Sequence, residues 1–198
     1  MIVAFYGAGM LGSAMVRAML RRGISVRVWN RNAQRAEALE QDGAQAFADA
    51  AEAASGADRV HLCLSDDVSV DNVIDAALPG ITNEVPIIDH TTVLPQRVAE
   101  RARRLAGDGY GFLHAPVFMG PPMALSATGV MMVSGDTSLV ERVRADLEAM
   151  CSDLQYVGER RAEHADDEDR AGEPRGEGRL ARTAREQGAQ PGEQAARR

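Results

Sequence analysis

Lysine is absent from this sequence. All 22 basic side chains among the 198 residues are arginine. Chemistry that requires a lysine amine, such as Schiff-base formation or proton transfer by an ammonium group, is therefore excluded for the chain as written.

Cysteine, long apolar runs and excess positive charge are also scarce. Two cysteines, Cys63 and Cys151, stand too far apart for a disulfide framework and lack the spacing of metal ligands. The sequence contains no window of about 18 apolar residues, the length that a membrane-spanning helix needs. A net charge of -7 argues against nucleic acid as a partner. We expect a cytoplasmic protein without a metal site, a membrane partner or a nucleic-acid partner.

The apolar residues are unevenly distributed. They make up 45% of the chain, enough for a core, yet residues 160–198 contain a single large aliphatic side chain, Leu180. Ordering each residue costs about 1 to 2 kcal/mol of backbone entropy. We therefore predict a folded domain over residues 1–159 and a disordered charged tail over 160–198, with at most a frayed helix at 178–187.

Short apolar runs alternate with amphipathic stretches over residues 1–159. Strands are predicted at residues 2–6, 24–29, 60–64, 86–89, 111–115 and 130–134. Helices are predicted at residues 10–22, 33–42, 68–77, 96–106 and 137–150. Strands spaced by helices of this size indicate βαβ units, so the predicted class is α/β with a doubly wound, mostly parallel Rossmann sheet.

A glycine-rich segment joins the first strand to the first helix and matches the pattern G-x-G-x-x-G. The first glycine permits a tight turn, the second lets a pyrophosphate approach the backbone, and the third lets helix and strand pack closely. The helix start supplies free amides and partial positive charge. We predict phosphate binding by Gly7, Ala8, Gly9, Met10, Leu11 and Gly12.

The end of the second strand bears on which dinucleotide binds. NAD sites place Asp or Glu there for the ribose 2′-hydroxyl, whereas this chain has Asn30, Arg31 and Asn32. Arg31 can pair with a 2′-phosphate, which favours NADP(H) over NAD(H). The alternative interpretation is that Arg31 is a solvated loop residue.

The residues that follow the later strands could contact the cofactor or substrate, because ligands lie at the carboxyl ends of parallel strands, and Ser65, Thr91 and Thr92 among them are small polar residues. These candidates are Leu64, Ser65, Thr91 and Thr92, followed by the segment Phe118, Met119 and Gly120. Asp89 is interpreted as a loop cap rather than a base. His90 and His114 are interpreted as structural residues.

Six segments occur in an order that resembles the N-terminal domain of the β-hydroxyacid dehydrogenase family. They read FYGAGMLGSAM, VRVWNRN, CLSDD, IIDHTTVLP, LHAPVFMG and MMVSGD. This family includes 3-hydroxyisobutyrate and 6-phosphogluconate dehydrogenases, with imine reductases as relatives. The resemblance implies 2′-phosphate recognition at Asn30 and Arg31, nicotinamide-side contacts near Leu64 and Ser65, and cofactor or substrate contacts at Thr91 and Thr92.

The sequence departs from that family in three places. Thr91 replaces a usual serine and keeps its hydroxyl, and Phe118-Met119-Gly120 replaces a serine-glycine-glycine turn that cradles a substrate carboxylate. The family's C-terminal all-helical domain, which carries a catalytic lysine and builds the dimer interface, has no counterpart here. We therefore assign no catalytic residue and leave the oligomeric state open.

A frameshift is one hypothesis for the missing domain. Codons for residues 166–169, read one base later, can spell Thr-Met-Lys-Ile, close to what the family places after its VGE-like strand. The tail would then be a frameshift product that replaces an apolar helical domain.

The sequence thus predicts an NADP(H)-binding domain of an oxidoreductase that acts on a hydroxy acid or a related small substrate. We expect the chain to be truncated and weakly active or inactive. Two alternatives remain open: a non-catalytic NADP(H)-binding or sensor protein, and an S-adenosylmethionine methyltransferase, which would favour an acidic residue where Asn30 stands.

Overall fold

The computed structural model describes residues 1–159. The predictions of a disordered tail, of a helix at 178–187 and of a frameshift product concern residues outside this range.

Six parallel strands form the main sheet in the order β3-β2-β1-β4-β5-β6. Their bounds are β1 Ile2–Tyr6, β2 Ser25–Trp29, β3 Gln45–Phe47, β4 Arg59–Leu62, β5 Ile87–Asp89 and β6 Phe112–His114. The order reverses between β1 and β4, which is the switch point of a doubly wound sheet. The predicted fold class is confirmed.

Seven α-helices are described within residues 1–159. Their bounds are α1 Met10–Arg21, α2 Ala33–Glu37, α3 Ala50–Ala54, α4 Asp67–Ala77, α5 Pro95–Gly107, α6 Pro121–Ser126 and α7 Thr137–Glu148. In this part of the chain, no helix is both long enough and apolar enough to cross a membrane.

Alternating side chains of the central strand fill two cores, one on each face of the sheet. On β1, Val3 and Phe5 enter a cluster with residues of α1 and α7, whereas Ala4 and Tyr6 enter a cluster with α3, α4 and α5. Because both faces are covered, β1 is apolar throughout rather than alternating with polar residues.

A second, three-stranded sheet contains β7 Val117–Phe118, β8 Val130–Val133 and β9 Asp153–Tyr156. Strand β7 is antiparallel to β8, and β8 is parallel to β9. The strand predicted at 130–134 exists, but it belongs to this second sheet, which an isolated bridge between His114 and Ser134 connects to β6.

Several short elements differ from the sequence prediction. The helix predicted at 33–42 is divided into α2 and a 3-10 turn at Glu40–Asp42, which Gly43 ends with a φ of +101°. Strands β3, β7 and β9 and helices α3 and α6 were not predicted. All five have two to six residues, too few to display a clear hydrophobic period.

Candidate dinucleotide site

The turn after β1 requires glycine at its first and last positions. Gly7 has a φ of +107°, in the left-handed region. A Cβ added at Gly7 would lie 2.2 Å from the carbonyl oxygen of Cys63, and one at Gly12 would lie 1.9 Å from the carbonyl oxygen of Gly7. Both distances are far inside van der Waals contact, so these glycines serve the turn and the packing of α1 on β1, as the sequence predicts.

The middle glycine is different. Gly9 has an ordinary φ of -75°, and a Cβ added there would meet no atom of residues 1–159 within 4 Å. Gly9 precedes Met10, where α1 begins, and no side chain of the described residues caps this helix start. The first amides of a helix have no acceptor within the helix. The turn therefore presents amides and partial positive charge to an open space, a geometry that fits a pyrophosphate.

Asparagine side chains tie the glycine turn to the end of β2. The Ala8 amide donates to Oδ1 of Asn30 at 3.0 Å, and Nδ2 of Asn30 donates to the carbonyl oxygen of Asn32 at 2.8 Å. Oδ1 of Asn32 accepts from the Gln34 amide at 3.1 Å and caps α2. The side chains of Asn30 and Asn32 are thus engaged in shaping the loop between them.

Arg31 is exposed at the tip of this loop. Its positive charge contributes to lowering the pKa of Asp66, in the loop after β4. The pKa of Asp66 lies below its ordinary value, first because the Ser65 hydroxyl and the Ser69 amide donate to the carboxylate, and further because of the positive charge of Arg31. Because β2 and β4 both run parallel to β1, Arg31 and the residues after β4 lie at the same edge of the sheet.

Thr91 joins the loops that follow β4 and β5. Its Oγ1 accepts from the Leu64 amide at 3.0 Å, and the residue is only 3% exposed. Ser65 and Thr92 are exposed beside it. The structure thus brings four predicted residues to one edge of the sheet and gives the Thr91 hydroxyl a role in holding Leu64.

Asp89 is fully buried at the end of β5, where Oδ1 accepts from the Thr91 amide at 2.9 Å. Burial raises the pKa of Asp89, while hydrogen bonds from Thr91 and the charges of His114 and Arg101 act in the opposite direction. The cap expected from the sequence is observed.

Two buried histidines form a hydrogen-bonded pair below the site. Nδ1 of His90 lies 2.9 Å from the carbonyl oxygen of Ala115, so this nitrogen carries the proton, and Nε2 accepts from Nδ1 of His61 at 2.8 Å. Burial lowers the pKa of His90 to about 4 and that of His61 well below its ordinary value. Both rings are neutral at pH 7, and the structural interpretation of His90 is supported.

His114, half-buried at the end of β6, donates from Nε2 to the Thr91 carbonyl oxygen at 3.0 Å. It therefore braces the same loop that Asp89 caps.

The segment Phe118, Met119 and Gly120 leads from β7 into α6, which packs against α1. Phe118 is 63% exposed. Met119 is turned toward β8, since a Cβ added at Gly129 would lie 2.3 Å from its Cβ. Phe118 is thus the exposed side chain of this segment.

The sequence places Asp66 at the end of the fourth strand but assigns no role to Asp66 or to Arg101. Oδ1 of Asp66 accepts from the Ser69 amide at 2.7 Å and caps α4. The pair of aspartates just before the helix predicted at 68–77 could have indicated this cap, because aspartate is favoured at helix N-caps. Arg101 is one of four arginines on α5, and no local signal marks it as buried.

A parallel sheet with this strand order, and an open glycine turn at its switch point, defines a dinucleotide-binding domain. The profile described as the NAD binding domain of 6-phosphogluconate dehydrogenase matches residues 2–158. The chain belongs to this family.

Three relatives illustrate the similarity. The cytokine-like nuclear factor N-PAC of Xenopus tropicalis is 30% identical over 160 residues, which are 79% of this chain and 30% of that protein. An imine reductase of Streptomyces aurantiacus is 31% identical with a TM-score of 0.75, covering 80% of this chain and 56% of that one. The 3-hydroxyisobutyrate dehydrogenase of Mycobacterium tuberculosis is 28% identical with a TM-score of 0.76, covering 80% and 54%. The chain thus spans less than a third of the nuclear factor and about half of each solved reductase or dehydrogenase.

Proposed function

We propose that this chain is the NADP(H)-binding part of an oxidoreductase similar to 3-hydroxyisobutyrate and 6-phosphogluconate dehydrogenases. NADP(H) would supply or accept the hydride, and the other reactant would be a hydroxy acid or a related small molecule. The observation that carries the proposal is the open space at Gly9, between two glycine positions where no side chain fits. A pyrophosphate needs this close approach to the backbone.

Arg31 supports NADP(H) rather than NAD(H). It is exposed at the end of β2, and residues 30–32 include no carboxylate that would bind a free 2′-hydroxyl. A guanidinium and a phosphate form charge-assisted hydrogen bonds, each contributing about 1.5 to 3 kcal/mol. Asn30 would hold the loop that presents Arg31.

A fluorescence titration of the full chain with NADPH and NADH tests this assignment. Arg31→Glu should weaken NADPH binding by about tenfold or more, whereas NADH binding should be unchanged or tighter, because the new carboxylate can accept from the free 2′-hydroxyl. Arg103→Glu, which makes the same charge change at an exposed site on α5, is the control. Unchanged NADPH affinity in Arg31→Glu would contradict the choice of NADP(H). Failure of the wild type to bind either dinucleotide would contradict the whole proposal.

Turnover by this chain alone is expected to be weak or absent. In the family that the sequence resembles, a lysine of the helical domain serves as the general acid and base, and this sequence contains no lysine. Asp89 is buried as a loop cap, so it does not replace that lysine. Truncation by a frameshift stays a prediction. Reading the coding nucleotides after Gly158 in three frames tests it, because an apolar helical pattern with lysine should appear in another frame.

The substrate would be a small molecule lying between Thr92 and Phe118, both exposed, with the buried Thr91 holding the loop beneath it. Phe118 favours a bulkier or less acidic substrate than a simple hydroxy acid, since the segment lacks a serine-glycine-glycine turn. A cytoplasmic location, without membrane or nucleic-acid partners, belongs to the same proposal.

A non-catalytic NADP(H)-binding protein is the second candidate. The absence of lysine favours it, and the similar protein from Xenopus tropicalis is named as a nuclear factor rather than as an enzyme. Binding of a protein partner that depends on NADPH, together with a native reading frame that ends at Arg198, would support this candidate over the first.

A further inference from the structure

A buried arginine lies behind the loops that follow β4 and β5, where the proposed site would receive the nicotinamide half of the dinucleotide. The Arg101 side chain, on α5, is 1% exposed. Its Nε donates to Oδ1 of Asp71 at 2.7 Å. Its Nη2 lies 3.2 Å from Oδ1 of Asp67 and 3.3 Å from the Asp67 carbonyl oxygen. The Arg101 guanidinium therefore hydrogen-bonds to residues in the first two turns of α4.

Asp67 connects the Arg101 side chain to the loop after β4. It is the first residue of α4 and directly follows the loop of residues 64–66. Its other oxygen, Oδ2, accepts from the amide of Leu94 at 3.2 Å, just before α5 begins. The starts of α4 and α5 are thus joined through Asp67 as well as through Arg101.

The third nitrogen of Arg101 faces the loop after β5. Nη1 lies 3.7 Å from Oδ2 of Asp89, too far for a hydrogen bond, although both groups are buried. Neither atom has a hydrogen-bond partner among the described residues. The other oxygen of Asp89 holds the Thr91 amide, and Thr91 in turn holds the Leu64 amide. The contacts close a ring that runs through both loops.

Stability alone is a weak explanation for this arrangement. Desolvating a guanidinium and a carboxylate is costly. The pair of Arg101 and Asp89 has no hydrogen bond, so its attraction recovers little of that cost. Three carboxylates on two elements, Asp67 and Asp71 on α4 and Asp89 on β5, do, however, define one position for a planar, forked cation. Because Asp67 and Asp89 stand at the two loops, that position fixes the spacing of the loops.

We infer that Arg101 is a positioning residue: without touching the dinucleotide, it sets the spacing between the loop of residues 64–66 and the loop that follows β5, where the nicotinamide half of the ligand would lie. This inference rests on the proposed NADP(H) function. It predicts that a change at Arg101 affects the nicotinamide half of the ligand and spares the half bound by the glycine turn and Arg31.

Replacement by lysine tests the geometry while keeping the charge. Arg101→Lys offers a single ammonium, which cannot donate to Asp67 and Asp71 in the same forked geometry. In the full chain, NADPH should bind about tenfold more weakly. The fragment 2′,5′-ADP, which lacks the nicotinamide, should bind within twofold of the wild-type affinity. Arg104→Lys is the control, because Arg104 lies on the same helix and pairs with Asp75 at an exposed site.

The possible results distinguish failure of the Arg101 inference from failure of the proposed NADP(H) function. Equal weakening of NADPH and 2′,5′-ADP would assign Arg101 a merely structural role and overturn the inference, as would unchanged NADPH affinity. A wild-type chain that binds neither ligand would instead overturn the proposed function.

Asp89→Asn provides a second variant if Arg101→Lys does not fold. The amide oxygen can still accept from the Thr91 amide, but the charge that faces Arg101 is removed. The same selective loss of NADPH affinity is expected, together with faster hydrogen exchange at the Leu64 amide and unchanged exchange at the Ala8 amide. A folded Asp89→Asn chain with the wild-type ratio of the two affinities would overturn the inference.

Discussion

The Ala8 amide and Oδ1 of Asn30 lie 3.0 Å apart in a hydrogen bond that ties the glycine turn to the end of β2. The same side chain donates from Nδ2 to the carbonyl oxygen of Asn32 at 2.8 Å. Asn30 therefore fixes the spacing between the pyrophosphate end of the proposed site and its adenosine end, where Arg31 stands.

Asn30→Ala should weaken NADPH and NADH binding by a similar factor, about five- to tenfold, because the whole loop loses its tether. The free energy of unfolding should fall by about 1 kcal/mol for the lost hydrogen bonds. Titration and urea denaturation measure the two effects, with Asn72→Ala on the exposed face of α4 as the control. A loss confined to NADPH would instead indicate direct contact between Asn30 and the 2′-phosphate.

The two ends of the glycine motif should respond differently to alanine. Gly9→Ala should leave the free energy of unfolding within about 1 kcal/mol of the wild type, since its Cβ meets open space. It should weaken NADPH binding tenfold or more, because the methyl group lies where the pyrophosphate approaches. Gly12→Ala should lower the free energy of unfolding by about 1 to 3 kcal/mol, because its Cβ overlaps the Gly7 carbonyl.

Denaturation and titration of both variants check this contrast. If Gly9→Ala bound NADPH as tightly as the wild type, the open space at Gly9 would not be the phosphate site.

Features set by local pattern could be predicted from the sequence. The apolar run of β1, followed by glycines at positions 7, 9 and 12, specifies a buried strand, a tight turn and a helix start within a dozen residues. The later strands of the main sheet other than β3 could be recognised from their Val, Ile, Leu and Phe residues, although β2 and β4 also contain Arg27, Arg59 and His61.

Features set by tertiary packing could not be predicted. On α5, Arg101 has the same local sequence character as Arg103 and Arg104, yet it alone of the three is buried, because it faces carboxylates on α4 and β5. Thr91 carries a hydroxyl that the sequence assigned to a ligand, and the structure shows it bound to the Leu64 amide. Both facts depend on which loops become neighbours.

Stability should decrease in mild acid because of the buried histidines. His90 has a pKa of about 4 in the fold against an ordinary 6.5, and the pKa of His61 is also lowered. The unfolded chain therefore binds more protons than the folded chain between about pH 6.5 and 4. The free energy of unfolding should fall as the pH falls through that window, by about 1.4 kcal/mol per pH unit for each histidine. Asp89, whose pKa is raised, opposes this trend.

Urea denaturation between pH 7.5 and 4.5 measures this slope. His90→Gln, whose amide can donate to Ala115 and accept from His61, should reduce the slope by about half. A slope that is the same in His90→Gln and in the wild type would mean that His90 titrates normally in the fold.

Ala127 is the one non-glycine residue with a positive φ, +55°, among residues 1–159. It ends α6 in the left-handed conformation, where a Cβ costs about 1 to 2 kcal/mol and glycine is favoured. Ala127→Gly should raise the free energy of unfolding by about 0.5 to 1 kcal/mol after the greater entropy of glycine in the unfolded chain is counted. Ala149→Gly, at the end of α7 with a φ of -70°, should instead lower it by up to about 1 kcal/mol. Thermal or urea denaturation of the pair gives the two signs, and stabilisation by both changes or by neither would show that the backbone at residue 127 is unstrained.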